Sequence, residues 1–440
     1  MMSREQNEYL TRVGKGQPAG ELLRHYWMPA ALTEELDGER PVVAVRLMGE
    51  DLVLFRNADE SIGLIQRQCP HRGADLCYGR LEDGGLRCVF HGWLFGPDGR
   101  CMEQPAEPEN SRMHEQIRAT SYPVVEKNGI VFAYMGPGDP PGFADLDCFR
   151  APQSHVFAFK GLWHCNWLQA LEVGIDPAHA SFLHRFLLDQ DARDSYGKQF
   201  RDTAADTDIP MTRLLREFPR PNIEVELTDF GLRLMSLRDI GKERLHVRVT
   251  NQIFPCAITI PISNQMNITQ WHVPVDDTHC YWYAMFTSFG DPVDKATMRA
   301  QRLKEHSLPQ YAPLKNAANK YHFDAVEQRL ATYTGMGSDI NVHDQWACES
   351  MGPIQDRTEE HLGRTDIAII KYRRLLKEMI EKVQQGEAEK LPMRGVNGGL
   401  LNIRGPLSID AITDSREWRT AWLKAEHVRR AEASWDAQVD

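Results

Sequence analysis

Short alternating runs of apolar residues dominate the chain from about residue 41. The stretch VVAVRLMGEDLVLFRNADESIGLIQRQC reads as strands rich in Val, Leu and Ile, separated by turn signals at Gly, Asn and Asp. This texture continues through GLRCVFHGWLFGPDGRCM to IVFAYMGPGDPPG at 130–142, whose Gly/Pro cluster marks a boundary. Residues 41–125 are therefore expected to form a small all-β domain. Ahead of it, 1–40 is expected to be a helical segment packing on the second domain: ELLRHYW suits a short amphipathic helix, which Pro29 breaks. The rest, 126–440, mixes both periods. A helix is expected to begin near 163 in WHCNWLQALEVGIDPAHASFLHRF, and IEVELTDFGLRLMSLR, RLHVRVTNQIF and CYWYAMFTSF read as strands of a larger antiparallel sheet. TDIAIIKYRRLLKEMIEKV at 365–383 predicts a strong amphipathic helix with Thr365 as cap and Ile367, Ile370, Leu375 and Ile380 among its apolar residues. A second helix is expected at 415–435.

Composition narrows the classes. The 440 residues include 62 acidic and 51 basic side chains, so 51 − 62 gives a net charge of −11, and 42% are hydrophobic. Disorder and small disulfide scaffolds are excluded by that balance. No run approaches the roughly 20 apolar residues a membrane helix requires, and the start, MMSREQNEYLTRVGKG, lacks an apolar signal region, so a cytoplasmic protein is expected. Without a Lys/Arg stripe there is no footprint for nucleic acid. The nine cysteines are an odd count, and in a reducing compartment they stay thiols or bind metal.

Cys69-Pro-His71 and Cys88-Val-Phe-His91 give C-x-H, a gap of 16 residues, then C-x2-H. Structural zinc accepts two Cys and two His in a tetrahedron. Zinc ribbons and fingers usually carry pairs of like ligands, however, whereas each turn here supplies one thiolate and one imidazole. The mixed pairing suits a [2Fe–2S] cluster with both cysteines on one iron and both histidines on the other. Gly73 and Gly92 follow the two ligand pairs, where backbone is expected to approach the sulfurs closely. Around these residues, C-P-H-R-G-A-D-L and C-x-F-H-G-W-x-F resemble the Rieske motif of ring-hydroxylating oxygenases. A stand-alone Rieske electron carrier would need only the first third of the chain.

The second constellation is Glu172-Val-Gly-Ile-Asp176-Pro-Ala-His179-Ala-Ser-Phe-Leu-His184. On a regular helix Glu172, Asp176 and His179, at i, i+4 and i+7, share one face. His184 would be rotated away unless a break after Pro177 or a distorted turn brings it back. Behind a redox cluster, two histidines with carboxylates fit non-haem iron(II), whose 2-His-1-carboxylate set leaves positions open for dioxygen and substrate. The segment is similar to the mononuclear iron motif of the Rieske oxygenases. That resemblance implies His179 and His184 as ligands, and Asp176 as the aspartate linking His179 to a cluster histidine, His71 or His91, of a neighbouring subunit; Glu172 could act beside it, or be an ordinary helix charge. In the phthalate dioxygenase branch an aspartate stands seven residues before M-G-P, which here is Asp344; Asp339, Glu349 and Asp356 compete with it. His343 reads as a bystander, Asp356 and Arg357 as structural pairing residues, and Asn166 as a residue able to reach the iron pocket.

Gly14, Gly16 and Gly20 miss the G-x-G-x-x-G spacing and no strand precedes them. No flavin or nicotinamide fingerprint appears, and the resemblance implies that NADH electrons come through a separate flavin/iron–sulfur reductase. The other cysteines read as small buried residues, with Cys77 able to lie near the cluster without ligating it. In RLHVRV, alternation puts Arg244, His246 and Arg248 on one strand face. A charged row is usually solvated, but in the phthalate dioxygenase branch arginines on the sheet hold the substrate carboxylate, which makes Arg248 and then Arg244 candidates. Ser181, between the iron histidines, could hydrogen-bond substrate.

The resemblance implies an α+β protein: an all-β Rieske domain and a helix-grip (START-like) catalytic domain with a large antiparallel sheet, in a homotrimer or dimer of trimers. The expected activity is O2-dependent cis-dihydroxylation of an aromatic carboxylate such as a phthalate. Single hydroxylation or demethylation of an aromatic ether or amine by the same apparatus is the first alternative. A non-enzymatic Rieske electron carrier or zinc-stabilised binding protein is the alternative of another class.

Overall fold

The computed structural model describes residues 2–189, 209–263, 265–393 and 407–435. The chain forms two compact units, one of residues 12–140 with 273–276, the other of 1–11, 141–272 and 277–440.

The smaller unit is built from strands. Val42–Leu47, Glu50–Arg56 and Ile62–Gln66 pair antiparallel, as alternation predicts, and Arg80–Glu82, Gly85–Arg87, Leu94–Phe95 and Cys101–Glu103 make a four-stranded sheet. A third sheet joins Trp27–Leu32, Ile130–Tyr134 and Val124–Lys127. The sheet pairing carries this unit past the expected boundary at 125 to residue 140, and it draws in residues expected to be helical. Of the α-helices within 1–40, Pro18–Arg24 belongs to this unit and Arg4–Thr11 to the larger one, and a 3-10 turn covers Thr33–Leu36. Pro29 lies inside an edge strand, where its missing N–H is tolerated, beside a register shift between Pro29 and Ala31. The core packs Val53, Phe55, Leu76, Leu86, Trp93 and Phe95 around Cys69 and Cys88.

The larger unit holds an eight-stranded sheet. Its order runs Val156–Trp163, Cys280–Ser288, Met266–Pro274, Ala257–Ser263, Arg244–Ile253, Gly231–Asp239, Asn222–Thr228, and Asp410–Asp414 also pairs with Arg244–Ile253. The period of two divides its faces. Met235, Leu237, Val247 and Val249 pack with Trp418 and Trp422 of the helix Trp418–Ala431. The residues between them, Ser236, Arg238, Arg248 and Thr250, line a cavity on the opposite face. The helix Ile367–Gln384 packs against the strands at 222–239; it starts after Asp366, and Thr365 sits in the preceding 3-10 turn instead of capping it. Among the described residues no helix is long and apolar enough to cross a membrane.

Candidate metal centres and substrate cavity

The two cysteine turns are near copies of one another. Cys69 N–H donates to Ala74 O (2.8 Å) and Gly73 N–H to Cys69 O (2.8 Å); Cys88 N–H donates to Trp93 O (2.8 Å) and Gly92 N–H to Cys88 O (2.9 Å). Gly73 and Gly92 both adopt φ +77°, the left-handed region that favours glycine, so each glycine closes its turn. Both cysteines are buried, and burial, with the Cys88 thiol beside it, pushes the Cys69 thiol up to about 11. The imidazoles of His71 and His91 lie half-buried with ring centres 4.4 Å apart, and His71 lies flat on Trp93 at 4.4 Å. The Nδ1 atom of His91 is buried without a hydrogen-bond partner among the described residues, a cost that metal coordination removes. Two inner thiols and two outer imidazoles fit a [2Fe–2S] cluster with a thiolate-bound and an imidazole-bound iron. Cys77 packs against this core.

In the larger unit the helix ends sooner than its sequence suggests. It spans Trp167–Gly174, so Asp176 and His179 lie beyond it and do not share a helical face with Glu172. A 3-10 turn at His179–Ser181 follows, with Asp176 Oδ1 accepting from Ala178 N–H (2.9 Å). That turn swings His184 back to His179, and their Nε2 atoms are 3.0 Å apart. Asp344, from the helix Ile340–Ser350, places Oδ1 3.2 Å from His184 Nε2 and 3.7 Å from His179 Nε2. His179, His184 and Asp344 are the one group of three described residues whose ligand atoms all fall within 4.8 Å of one another. His179 Nδ1 donates to the backbone carbonyl of Asp176, which leaves the Nε2 lone pair of the neutral ring facing His184 and the Asp344 carboxylate. The donor set fits a non-haem iron.

The competing carboxylates are engaged elsewhere. Asp339 caps its helix through Asn341 N–H (2.9 Å) and pairs with Arg302; Glu349 accepts from Tyr321 Oη (2.7 Å) and His164 N–H (2.9 Å); Asp356 accepts from Thr358 (3.0 Å). Glu172 is buried between Arg357 (2.8 Å) and Arg373 (2.5 Å); burial works to raise its carboxyl, but the two guanidiniums hold it below its ordinary value. It is a structural ion-pair residue, as is Arg357. Asn166 caps the 167–174 helix and donates to Thr11 O and Asp277 O, so its amide is committed away from the metal set.

The cavity beside the metal set has a volume of about 180 Å³ and apolar walls that include Trp163, Ile260, Ile262, Ile268 and Phe286. Arg248 lines it, bonded to Asp410 Oδ2 (2.6 Å) and Pro261 O (2.7 Å). The same carboxylate meets the fully buried His246 through Oδ1 (2.9 Å), so His246 and Arg248 of the charged row share one internal carboxylate. Arg244, the expected second arginine, is exposed at the strand end and does not line the cavity. The hydroxyl of Ser181 accepts from Arg238 at 3.3 Å and is fully buried behind the wall.

Sequence reasoning missed two lining residues. Arg238 is 1% exposed and bonds Ser236 Oγ (2.8 Å), Pro177 O and Ser181 Oγ, with no ion pair to a carboxylate among the described residues. Burial, with Arg248 nearby, pushes its pKa down to about 10. His272 is buried with neither ring nitrogen partnered among the described residues, and burial pushes it down to about 4. The signal for Arg238 was an arginine closing the run GLRLMSLR, two residues after Ser236; for His272, between Trp271 and Val273, there was little.

Comparison with known proteins bears on both centres. Residues 26–123 match the Rieske [2Fe-2S] domain and residues 133–436 match the LigXa C-terminal domain-like family. The chain is 34% identical over 404 residues to the phthalate 4,5-dioxygenase oxygenase subunit of Pseudomonas putida, covering 88% of each chain. It is 31% identical over 404 residues to the 5,5'-dehydrodivanillate O-demethylase oxygenase subunit of Sphingobium sp. (strain NBRC 103272 / SYK-6), covering 90% of this chain and 84% of that one. In fold it is similar to the NdmA QL mutant of Pseudomonas putida CBB5 solved with caffeine, with a TM-score of 0.58 at 18% identity over 85% of this chain and 96% of that one.

Proposed function

Because the chain belongs to the Rieske non-haem iron oxygenases, in the branch of the phthalate dioxygenase oxygenase subunits, we propose that it cis-dihydroxylates an aromatic carboxylate of phthalate type. As an oxygenase component it is an oxidoreductase, and the match over 133–436 leaves no room for a stand-alone electron carrier. When bound, the cluster supplies electrons and the mononuclear iron activates dioxygen. Cys69, Cys88, His71 and His91 would hold the first, and His179, His184 and Asp344 the second. The flavin/iron–sulfur identity of the reductase that relays NADH electrons belongs to this proposal. So does a homotrimer or dimer of trimers in which Asp176 orients His179 and bonds His71 or His91 of the partner subunit.

One observation carries the substrate class: Arg238, a buried guanidinium on the cavity wall with no carboxylate of its own among the described residues. Asp410 is already shared by Arg248 and His246, so an incoming carboxylate is the partner this end of the cavity lacks. A guanidinium fork matches that planar anion. We accordingly assign carboxylate binding to Arg238 and Arg248, with Ser181 holding Arg238 and Arg244 taking no part. The apolar walls take the ring and keep water from it, and the volume suits one ring, since an apolar cavity of roughly 150 Å³ takes up benzene.

The second reading, demethylation of an aromatic ether, is favoured by the likeness to the O-demethylase subunit. Incubation with NADH, reductase, 18O2 and phthalate isomers separates the two. A diol carrying both labelled oxygens supports dihydroxylation; formaldehyde from methoxylated acids, with no labelled diol from any acid, supports demethylation.

A further inference from the structure

We infer that His343 is a positioning residue that fixes the tautomer of His184, so that His184 presents Nε2 to a metal as a bare lone pair. The inference rests on the reading of His179, His184 and Asp344 as the metal set.

His343 is fully buried, one position before Asp344 on the Ile340–Ser350 helix. Its Nε2 lies 2.9 Å from the carbonyl oxygen of Gly337, an atom that can only accept. Nε2 therefore carries the proton, and Nδ1 of the neutral ring is left as an acceptor. That acceptor stands 3.5 Å from Nδ1 of His184. Since one partner is already an acceptor, His184 Nδ1 must be the donor. The ring geometry agrees: the planes lie within 24° of parallel and the centres are 5.7 Å apart. The centre separation exceeds the nitrogen separation by about what two ring radii contribute. The nitrogens thus lie near the line joining the centres, and the rings meet edge to edge, where an N–H and a lone pair point.

The anchor behind His343 is itself fixed. Gly337 adopts φ +88° and donates its N–H to Glu327 Oε1 (2.8 Å), which also accepts from Thr332 Oγ1 (2.6 Å). The relay therefore runs from a held backbone carbonyl through His343 to His184. His179 reaches the same tautomer by a shorter route, through the Asp176 carbonyl. The two Nε2 atoms then face each other at 3.0 Å, with Asp344 Oδ1 3.2 and 3.7 Å away, so that a cation among them can take a lone pair from each. Hydrogen-bond partners of metal-bound imidazoles set ring orientation and basicity, and their loss typically weakens metal binding by about 10–100-fold.

The test is Fe(II) affinity of the full-length, cluster-loaded protein, measured by competition with an iron chelator. His343→Phe fills the ring volume without an acceptor, and His343→Gln keeps only a group able to reach Gly337. Each is expected to bind Fe(II) about 10–100-fold more weakly with the cluster absorption unchanged. His343→Asn returns an acceptor to the Nδ1 position and is expected to recover binding to within a few-fold of the parent. Parent-like affinity in both His343→Phe and His343→Gln, or an Asn variant as weak as the Phe variant, overturns the inference, because packing alone would then explain the residue. If the parent binds no Fe(II), or Asp344→Ala binds it as tightly as the parent, the metal-set reading itself fails and takes this inference with it.

Discussion

The cluster turns and the oxygenase cavity solve the problem of holding reactive groups in opposite ways. Each cysteine turn is local: ligands two or three residues apart are clamped by backbone hydrogen bonds within six residues, and the same pattern occurs twice. The cavity is assembled from distant segments. Asp344 meets histidines about 160 positions earlier, and Asp410 pairs with Arg248 and hydrogen-bonds His246 from a strand 162 positions or more downstream. Local construction repeats a rigid unit, whereas long-range construction allows one wall to be recast for another substrate while the metal set stays fixed.

Substitutions can break that contrast, beginning with the largest effect. Asp344→Ala is expected to abolish product formation, a loss of at least about a thousandfold, while the visible spectrum of the cluster survives, since no element is shared by the two sites. Loss of both together would mean the centres are not independent. Arg238→Met is next: removing a buried charged partner should cost at least about 2 kcal/mol, roughly thirtyfold in kcat/KM, for an aromatic acid. The amide of the same acid should be affected far less, and equal losses would remove the carboxylate assignment.

Glu172→Gln leaves two buried guanidiniums short of charge and is expected to lower stability by about 3 kcal/mol, read as a fall in Tm, with the metal set intact. The pH dependence has the matching sign. Glu172 is held below its ordinary value of 4.5, so its contribution is fully present above that value and is lost as pH falls through the lower folded value. The parent should therefore lose stability on acidification more steeply than the Gln variant. The smallest effect is expected for Arg244→Ala, within about 0.5 kcal/mol in stability and without change in KM, because the side chain is exposed and outside the cavity.

What could be read in advance follows the same division. Cys69, His71, Cys88 and His91 stand out because their spacing is short and the donor types alternate. The two glycines were legible as necessary, although the positive φ of each turn is the reason the fold gives. The paired histidines at 179 and 184 were visible as well, but helical periodicity misplaced Glu172 and Asp176, because the helix stops at Gly174 and a 3-10 turn takes over. Alternation found Arg248 yet could not separate it from Arg244: what distinguishes them is Asp410, on a strand that pairs only in the folded sheet. Arg238 was hidden because its strand is buried on both faces, so alternation does not mark which of its polar residues meets the cavity. His343 looked idle beside Asp344, since the carbonyl it leans on belongs to the preceding loop.

The central claim is that one chain carries two separate iron centres, and elemental analysis tests it most directly. Iron, zinc and acid-labile sulfide should be counted in the purified parent and in Asp344→Ala. The account predicts about three irons and two sulfides per parent chain, about two and two in the variant, and no stoichiometric zinc in either. Stoichiometric zinc in the parent, or an iron count that Asp344→Ala leaves unchanged, would contradict it.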